Sequence, residues 1–90
     1  MLHDVKSHTG MAFDAVWDGR KLHEVRVNDR NYREGDRVIM REFTGTALTG
    51  RWVQVDVLFV TYGPNWGLPS ELCVFSFVMI ACSSPGMQQA

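Results

Sequence analysis

The stretch from Arg51 to Val60 limits what this chain can fold into more than any other. Val53, Val55, Val57 and Phe59 alternate there with Trp52, Gln54, Asp56 and Leu58. Period-two alternation marks a β-strand with one buried face. A second run, Leu72 to Ala81, is apolar on both parities, which predicts a central strand covered on both sides. Three more strands are expected over Leu2 to Ser7, Leu22 to Val27 and Val38 to Phe43. Phe13, Val16 and Trp17 recur at helical spacing, so one helix precedes the second strand. Thr9 is its candidate N-cap. Gly19 fits the position just past the helix end, where left-handed backbone is common. Arg20 and Lys21 then follow at the negative end of the helix dipole.

The remaining segments read as connections. Asn28 to Gly35 is a polar loop, Gly35-Asp36 is a turn, and Thr44 to Gly50 is a loop. Thr61 to Glu71 is a long loop with Gly63, Pro64, Gly67 and Pro69, and a helical turn fits inside it. Ninety residues make one domain. We expect an α+β chain: a small β-barrel of about five to six strands with one or two short helices. The domain is expected over residues 1–82, with a flexible C-terminal tail over 83–90.

Charge narrows the function. The net charge is −1 and the pI is about 6.2, which excludes a generic basic protein that coats nucleic acid. Seven of the nine cationic residues nevertheless lie between Arg20 and Arg41. This segment is the candidate site. Cys73 and Cys82 are nine positions apart, so they form neither a disulfide framework nor a close metal pair. His3, His8 and His23 lack metal-ligand spacing, and no metal or cofactor is expected. The longest apolar run is too short to span a bilayer. No secretion signal stands at the start, and a cytoplasmic location is expected.

Alternation puts Glu24 and Arg26 on one face of their strand. Such a pair is either a structural ion pair or a fork for a phosphate or carboxylate. Lys21 and Glu24 differ in parity, so a regular strand would separate them. A bulge or a late strand start after Gly19 would bring both into one cleft. A lysine beside a carboxylate can act as nucleophile or base, although on spacing alone a solvated pair is the ordinary reading. Arg30 lies in the polar loop beside Asn28 and Asp29, which suit local turns. Trp17, Trp52, Trp66 and Tyr62 can stack on bases. Trp17 pairs with Phe13 in the core, which leaves Trp66 as the best stacking candidate.

Several ordered segments together carry a resemblance. They are His3-Asp4-Val5-Lys6, Phe13-x-x-Val16-Trp17-Asp18-Gly19-Arg20-Lys21, Glu24-Val25-Arg26, Asn28-Asp29-Arg30, Tyr32, Gly35-Asp36, Arg41-Glu42, Thr49-Gly50-Arg51 and Gly67-Leu68-Pro69. Over roughly residues 3–80 the chain resembles the domain of unknown function 3850 family, common in bacteria and phages, of the ASCH group in the PUA-like superfamily. The resemblance implies a small PUA-like β-barrel closed by a helix, with a cleft beside the Gly-Arg-Lys segment. PUA-like domains often bind RNA, and ASCH domains are suspected of binding nucleic acid or nucleotides. Some ASCH proteins are amidohydrolases that remove an acyl group from modified cytidine. They use the lysine of a Gly-Arg-Lys motif, a threonine three residues later and a distant glutamate. Lys21 matches the lysine, Glu24 stands where the threonine would be, and Glu71 is the candidate for the distant glutamate.

The expected function is an RNA- or nucleotide-binding module. Its ligand contacts are expected from Lys6, Arg20, Lys21, Glu24, Arg26, Arg30 and Trp66. Two alternatives accompany it. One is a small amidohydrolase acting on an acylated nucleoside, with Lys21 and Glu24 catalytic. The other is a phage accessory protein that binds a host protein. No membrane partner is expected.

Overall fold

The computed structural model describes residues 1–83. Five strands form one sheet: β1 (Leu2–His8), β2 (His23–Val27), β3 (Arg37–Phe43), β4 (Leu48–Tyr62) and β5 (Leu72–Cys82). The spatial order is β1-β3-β4-β5-β2. β1 runs parallel to β3, and every other pairing is antiparallel. The sheet curls into a half-barrel, so its two edge strands approach each other. Helix α1 (Met11–Trp17) follows β1, and a 3-10 turn at Asn65–Gly67 joins β4 to β5.

The core fills the concave side. Val38, Met40, Val53, Val55, Val57, Cys73, Phe75 and Phe77 are all buried, from three adjacent strands. Phe13 and Val16 of α1 are buried as well, and the Phe13 and Trp17 rings stack with centroids 6.4 Å apart. Gly19 has φ 80°, the left-handed backbone expected past the helix end.

Four expectations need correction. Alternation predicted Phe59 inside, yet it is exposed and Val60 is buried. The register between β4 and β5 shifts between Val57 and Phe59. A bulge there inserts one residue and hands the inward face to the other parity. β5 is not covered on both sides. Cys73, Phe75 and Phe77 face the core, while Val78 and Ile80 are exposed, because among the described residues no second layer packs on the convex face. Thr9 does not cap the helix. Gly10 is the N-cap residue, and the Thr9 hydroxyl instead donates to Glu42 Oε2 at 2.7 Å. Finally, β4 starts at Leu48, inside the expected loop.

Ser83 was expected to begin the tail. It is buried, and its N–H donates to the Trp52 carbonyl at 3.0 Å, while its hydroxyl accepts from the Trp52 N–H at 3.1 Å. The rest of the expected tail, 84–90, lies outside the described residues.

Candidate functional site

β2 is built inside out. Val25 and Val27 are exposed on the convex face, whereas Glu24 and Arg26 are half-buried on the concave side. Packing therefore does not explain the orientation of this edge strand. It turns its two charged residues toward the gap between β2 and β1. A cleft of about 980 Å³ occupies that gap, within the size range of small-ligand sites. Val5, Phe13, Val16, Tyr32 and Met40 give it an apolar floor.

The cleft wall carries one connected charge cluster. Lys21 Nζ donates to Glu24 Oε1 at 2.8 Å and to the His23 carbonyl at 2.6 Å. Arg26 Nη1 donates to Glu24 Oε2 at 2.9 Å, and Nη2 donates to the Lys6 carbonyl at 3.0 Å. The arginine thus spans from one sheet edge to the other. Lys21 reaches Glu24 because β2 begins only at His23. Residue 21 precedes the pleat, so strand parity does not apply to it. The late strand start required for convergence is what the structure contains.

Lys6 and Arg30 stand elsewhere around the same cleft. Lys6 lies on β1 with its Nζ 4.6 Å from the centre of the Phe43 ring. Neither side chain donates a hydrogen bond or forms an ion pair among the described residues. Arg41 and Asp4 also line the cleft and are joined by three hydrogen bonds of 2.9 to 3.1 Å. That contact lowers the Asp4 pKa and raises that of Arg41.

Two expected contacts lie outside. Arg20 is exposed and donates to Asp18 at 3.0 Å, away from the cleft. Trp66 sits on the 3-10 turn and is 92% exposed; it does not line the cleft either. Glu71, the candidate distant glutamate, is also outside the cleft lining. Its backbone carbonyl accepts the Asn28 N–H at 2.9 Å.

Sequence reasoning missed Tyr32. It lies in a polar loop, yet it is fully buried. The Asn28 side chain accepts its N–H at 3.0 Å, and Tyr62 Oη donates to its carbonyl. Its ring lies 4.8 Å from His3 and 5.1 Å from Phe75, centre to centre. Burial raises its pKa. The available signal was one aromatic among seven polar or glycine neighbours in 28–35. His3, in turn, is buried against Asp36, Nε2 to Oδ2 2.8 Å, and does not reach the cleft.

A second charge cluster joins the helix to β3 and β4. Arg51 Nε and Nη2 donate to Glu42 Oε1 and Oε2 at 2.8 and 2.7 Å, and Nη2 also donates to Asp14 at 2.9 Å. Thr9 and Thr49 each donate to Glu42 at 2.7 Å. The guanidinium covers the Phe13 and Trp17 rings at 5.1 and 5.0 Å. Hydrogen bonds from Arg51 outweigh the opposing burial and, with those from the threonines, hold the Glu42 pKa at about 2. Glu42 raises the Arg51 pKa in return.

Against known proteins, residues 2–77 match the family described as Domain of unknown function (DUF3850). The chain belongs to the DUF3850 family. One relative is an "Uncharacterized 12.9 kDa protein in GpA 3'region" of Escherichia phage P2. The two are 40% identical over 65 residues, which is 72% of this chain and 59% of the relative. The match to the DUF3850 family includes β2, the 28–31 loop and both cleft edges. Among the described residues no helix is long and apolar enough to cross a membrane. Nor do three His, Cys, Asp or Glu side chains among them gather as a metal site would require.

Proposed function

We propose that the chain is an ASCH-type, PUA-like module that binds RNA or another nucleotide-containing ligand in the β1–β2 cleft. The observation that carries this reading is the pair Lys6 and Arg30. Both line the cleft, and neither forms an ion pair among the described residues, in a chain of net charge −1. Cations that form no ion pair among the described residues, above an apolar floor, suit a ligand with a phosphate at one end and a flat ring at the other. In this reading the phosphate meets Lys6 and Arg30, and the base lies over Phe13, Val16 and Met40. Lys21 uses two of its three donors within the protein, which leaves one for the ligand. Glu24 is held between two cations and accepts from an N–H or O–H of the base or sugar.

Titration with nucleotides and short single-stranded RNA tests the reading. Binding is expected at low salt and should weaken as salt rises. Absence of binding at low salt would end the proposal.

A second reading rests on the Lys21 Nζ to Glu24 Oε1 contact of 2.8 Å. An amine and a carboxylate in contact inside a cleft can pass a proton. Lys21 would be nucleophile or base in an amidohydrolase acting on an acylated nucleoside, with Glu24 as proton carrier. Incubation with N4-acetylcytidine should then release cytidine, and folded protein that leaves the substrate intact retires this reading. A third reading, a host-protein partner for a phage accessory protein, draws on the exposed Val25, Val27, Leu58 and Phe59 side chains. A pull-down that returns one protein and no nucleic acid would favour it.

A further inference from the structure

The turn between β4 and β5 carries a side chain that folding does not account for. Trp66 is 92% exposed, so it contributes almost no burial. Its backbone adopts φ 56°, ψ 31°. Bulky residues rarely enter this left-handed region, and holding one there stores strain that the surroundings must sustain. The surroundings do so. Gly63 N–H donates to the Leu72 carbonyl at 2.9 Å, Leu72 N–H to Pro69 at 3.0 Å, and Leu68 N–H to Asn65 at 3.1 Å. The Asn65 amide donates to the Tyr62 carbonyl at 2.8 Å. A Cβ at Gly63 would come within 1.9 Å of the Pro69 carbonyl oxygen, so the turn is folded tightly on itself. An ordered turn thus presents an indole that neither the core nor the cleft uses.

The connection that holds this turn is hydrogen-bonded to the 28–35 loop at two points. The Asn28 N–H donates to the Glu71 carbonyl at 2.9 Å, which ties the turn to the loop that carries Arg30. Tyr62 Oη donates to the carbonyl of Tyr32, a cleft residue, and the Tyr62 carbonyl accepts from Asn65, next to Trp66. The loop that carries Arg30 is therefore hydrogen-bonded to both ends of the connection that displays Trp66.

We propose that Trp66 is a base-stacking platform outside the cleft, and that the ligand is a single-stranded nucleic acid of several nucleotides rather than a free mononucleotide. The inference rests on the nucleotide reading of the cleft. One nucleotide occupies the cleft, with its phosphate toward Lys6 and Arg30. A base further along the strand stacks on the indole. Stacking needs no charge at the turn and tolerates any base, because every base has a π-face. The side chain is flanked in sequence by Asn65 and Gly67 and offers one exposed planar surface. That suits a single base better than a protein face.

The experiment measures anisotropy of a labelled ten-nucleotide single strand, as RNA and as DNA, with unlabelled nucleoside monophosphates as competitors. Wild type is compared with Trp66→Ala, Trp66→Gly and Trp66→Phe. The alanine and glycine variants should bind the ten-mer at least about fivefold more weakly, in line with base stacking on an aromatic. Monophosphate affinity should stay within about twofold, and Trp66→Phe should keep most of the ten-mer affinity. The glycine variant should melt no lower than wild type, because glycine accepts the left-handed backbone. Unchanged ten-mer affinity in both truncated variants overturns the inference and leaves the cleft reading intact. Equal losses for ten-mer and monophosphate also overturn it, since Trp66 would then act through the cleft. If instead Lys6→Ala and Arg30→Ala leave both affinities unchanged, the cleft reading falls and takes the inference with it. The RNA and DNA arms report whether the 2′-hydroxyl contributes.

Discussion

Glu42 and Glu24 each hold an arginine, the first from β3 and the second from β2. Glu42 accepts from Arg51 through both oxygens and from Thr9 and Thr49 besides. Its side chain is 3% exposed. Glu24 accepts one bond from Lys21 and one from Arg26, and its side chain is 13% exposed. The first cluster is saturated: each carboxylate oxygen has two donors, and aromatic rings cover the guanidinium. The second has capacity left. Arg26 uses two of its five N–H groups, and Lys21 two of three. The same residue types serve as a clamp where the carboxylate is fully satisfied, and as a candidate binding wall where it is not.

The largest expected effect breaks the clamp. Glu42→Ala removes a buried acceptor of four hydrogen bonds and leaves the half-buried Arg51 without its main partner, which should cost about 3 kcal/mol. The urea midpoint should fall accordingly, with helix α1 detached from the sheet. A loss under about 1 kcal/mol would mean that Asp14 alone holds Arg51.

Acid should act on the same group. Glu42 titrates near 2 in the fold, below its ordinary 4.5. A carboxylate with a depressed folded pKa stabilises above the unfolded value, and that stability is lost as pH falls through the folded one. Glu42 therefore contributes fully above about 4.5 and loses its contribution down to about 2, on the order of 3 kcal/mol. Thermal melts across this window should show the decline, and Glu42→Gln should flatten much of it. An unchanged acid limb in that variant would assign the decline to other carboxylates.

Glu24 should behave differently. Glu24→Ala is expected to cost about 1 kcal/mol in stability, while changing nucleotide affinity more than Glu42→Gln does. If the two variants shift affinity equally, the distinction between clamp and wall fails.

The clamp and the wall were not equally legible in the sequence. Period two gave the strands because one-sided burial repeats along the chain. The Val57–Phe59 bulge left no compositional trace, so Phe59 was placed inside. Coverage of β5 depends on which layer packs against it, and that is a property of distant segments. The glutamate–arginine pair of β2 was legible because its residues are two apart on one strand. Lys21 was ambiguous only until the strand start was known. The clamp was hidden because Thr9, Asp14, Glu42 and Arg51 come from four separate segments. Tyr32 was hidden for a related reason: its burial is set by His3 and Phe75, far away in sequence.

The smallest stability effects should come from the two cations proposed to meet the ligand. Lys6 lies over the Phe43 ring, and Arg30 forms no hydrogen bond or ion pair among the described residues. Lys6→Ala and Arg30→Ala should each stay within about 0.5 kcal/mol of wild type in stability. The effect belongs in the salt dependence of binding. Each phosphate contact removed should reduce the slope of log affinity against log salt by about 0.7 for a single strand. The double variant should lose about twice that if the two cations hold separate phosphates. A double variant no worse than either single one would mean that both hold the same phosphate, and the ligand would then reach the cleft with only one charged group.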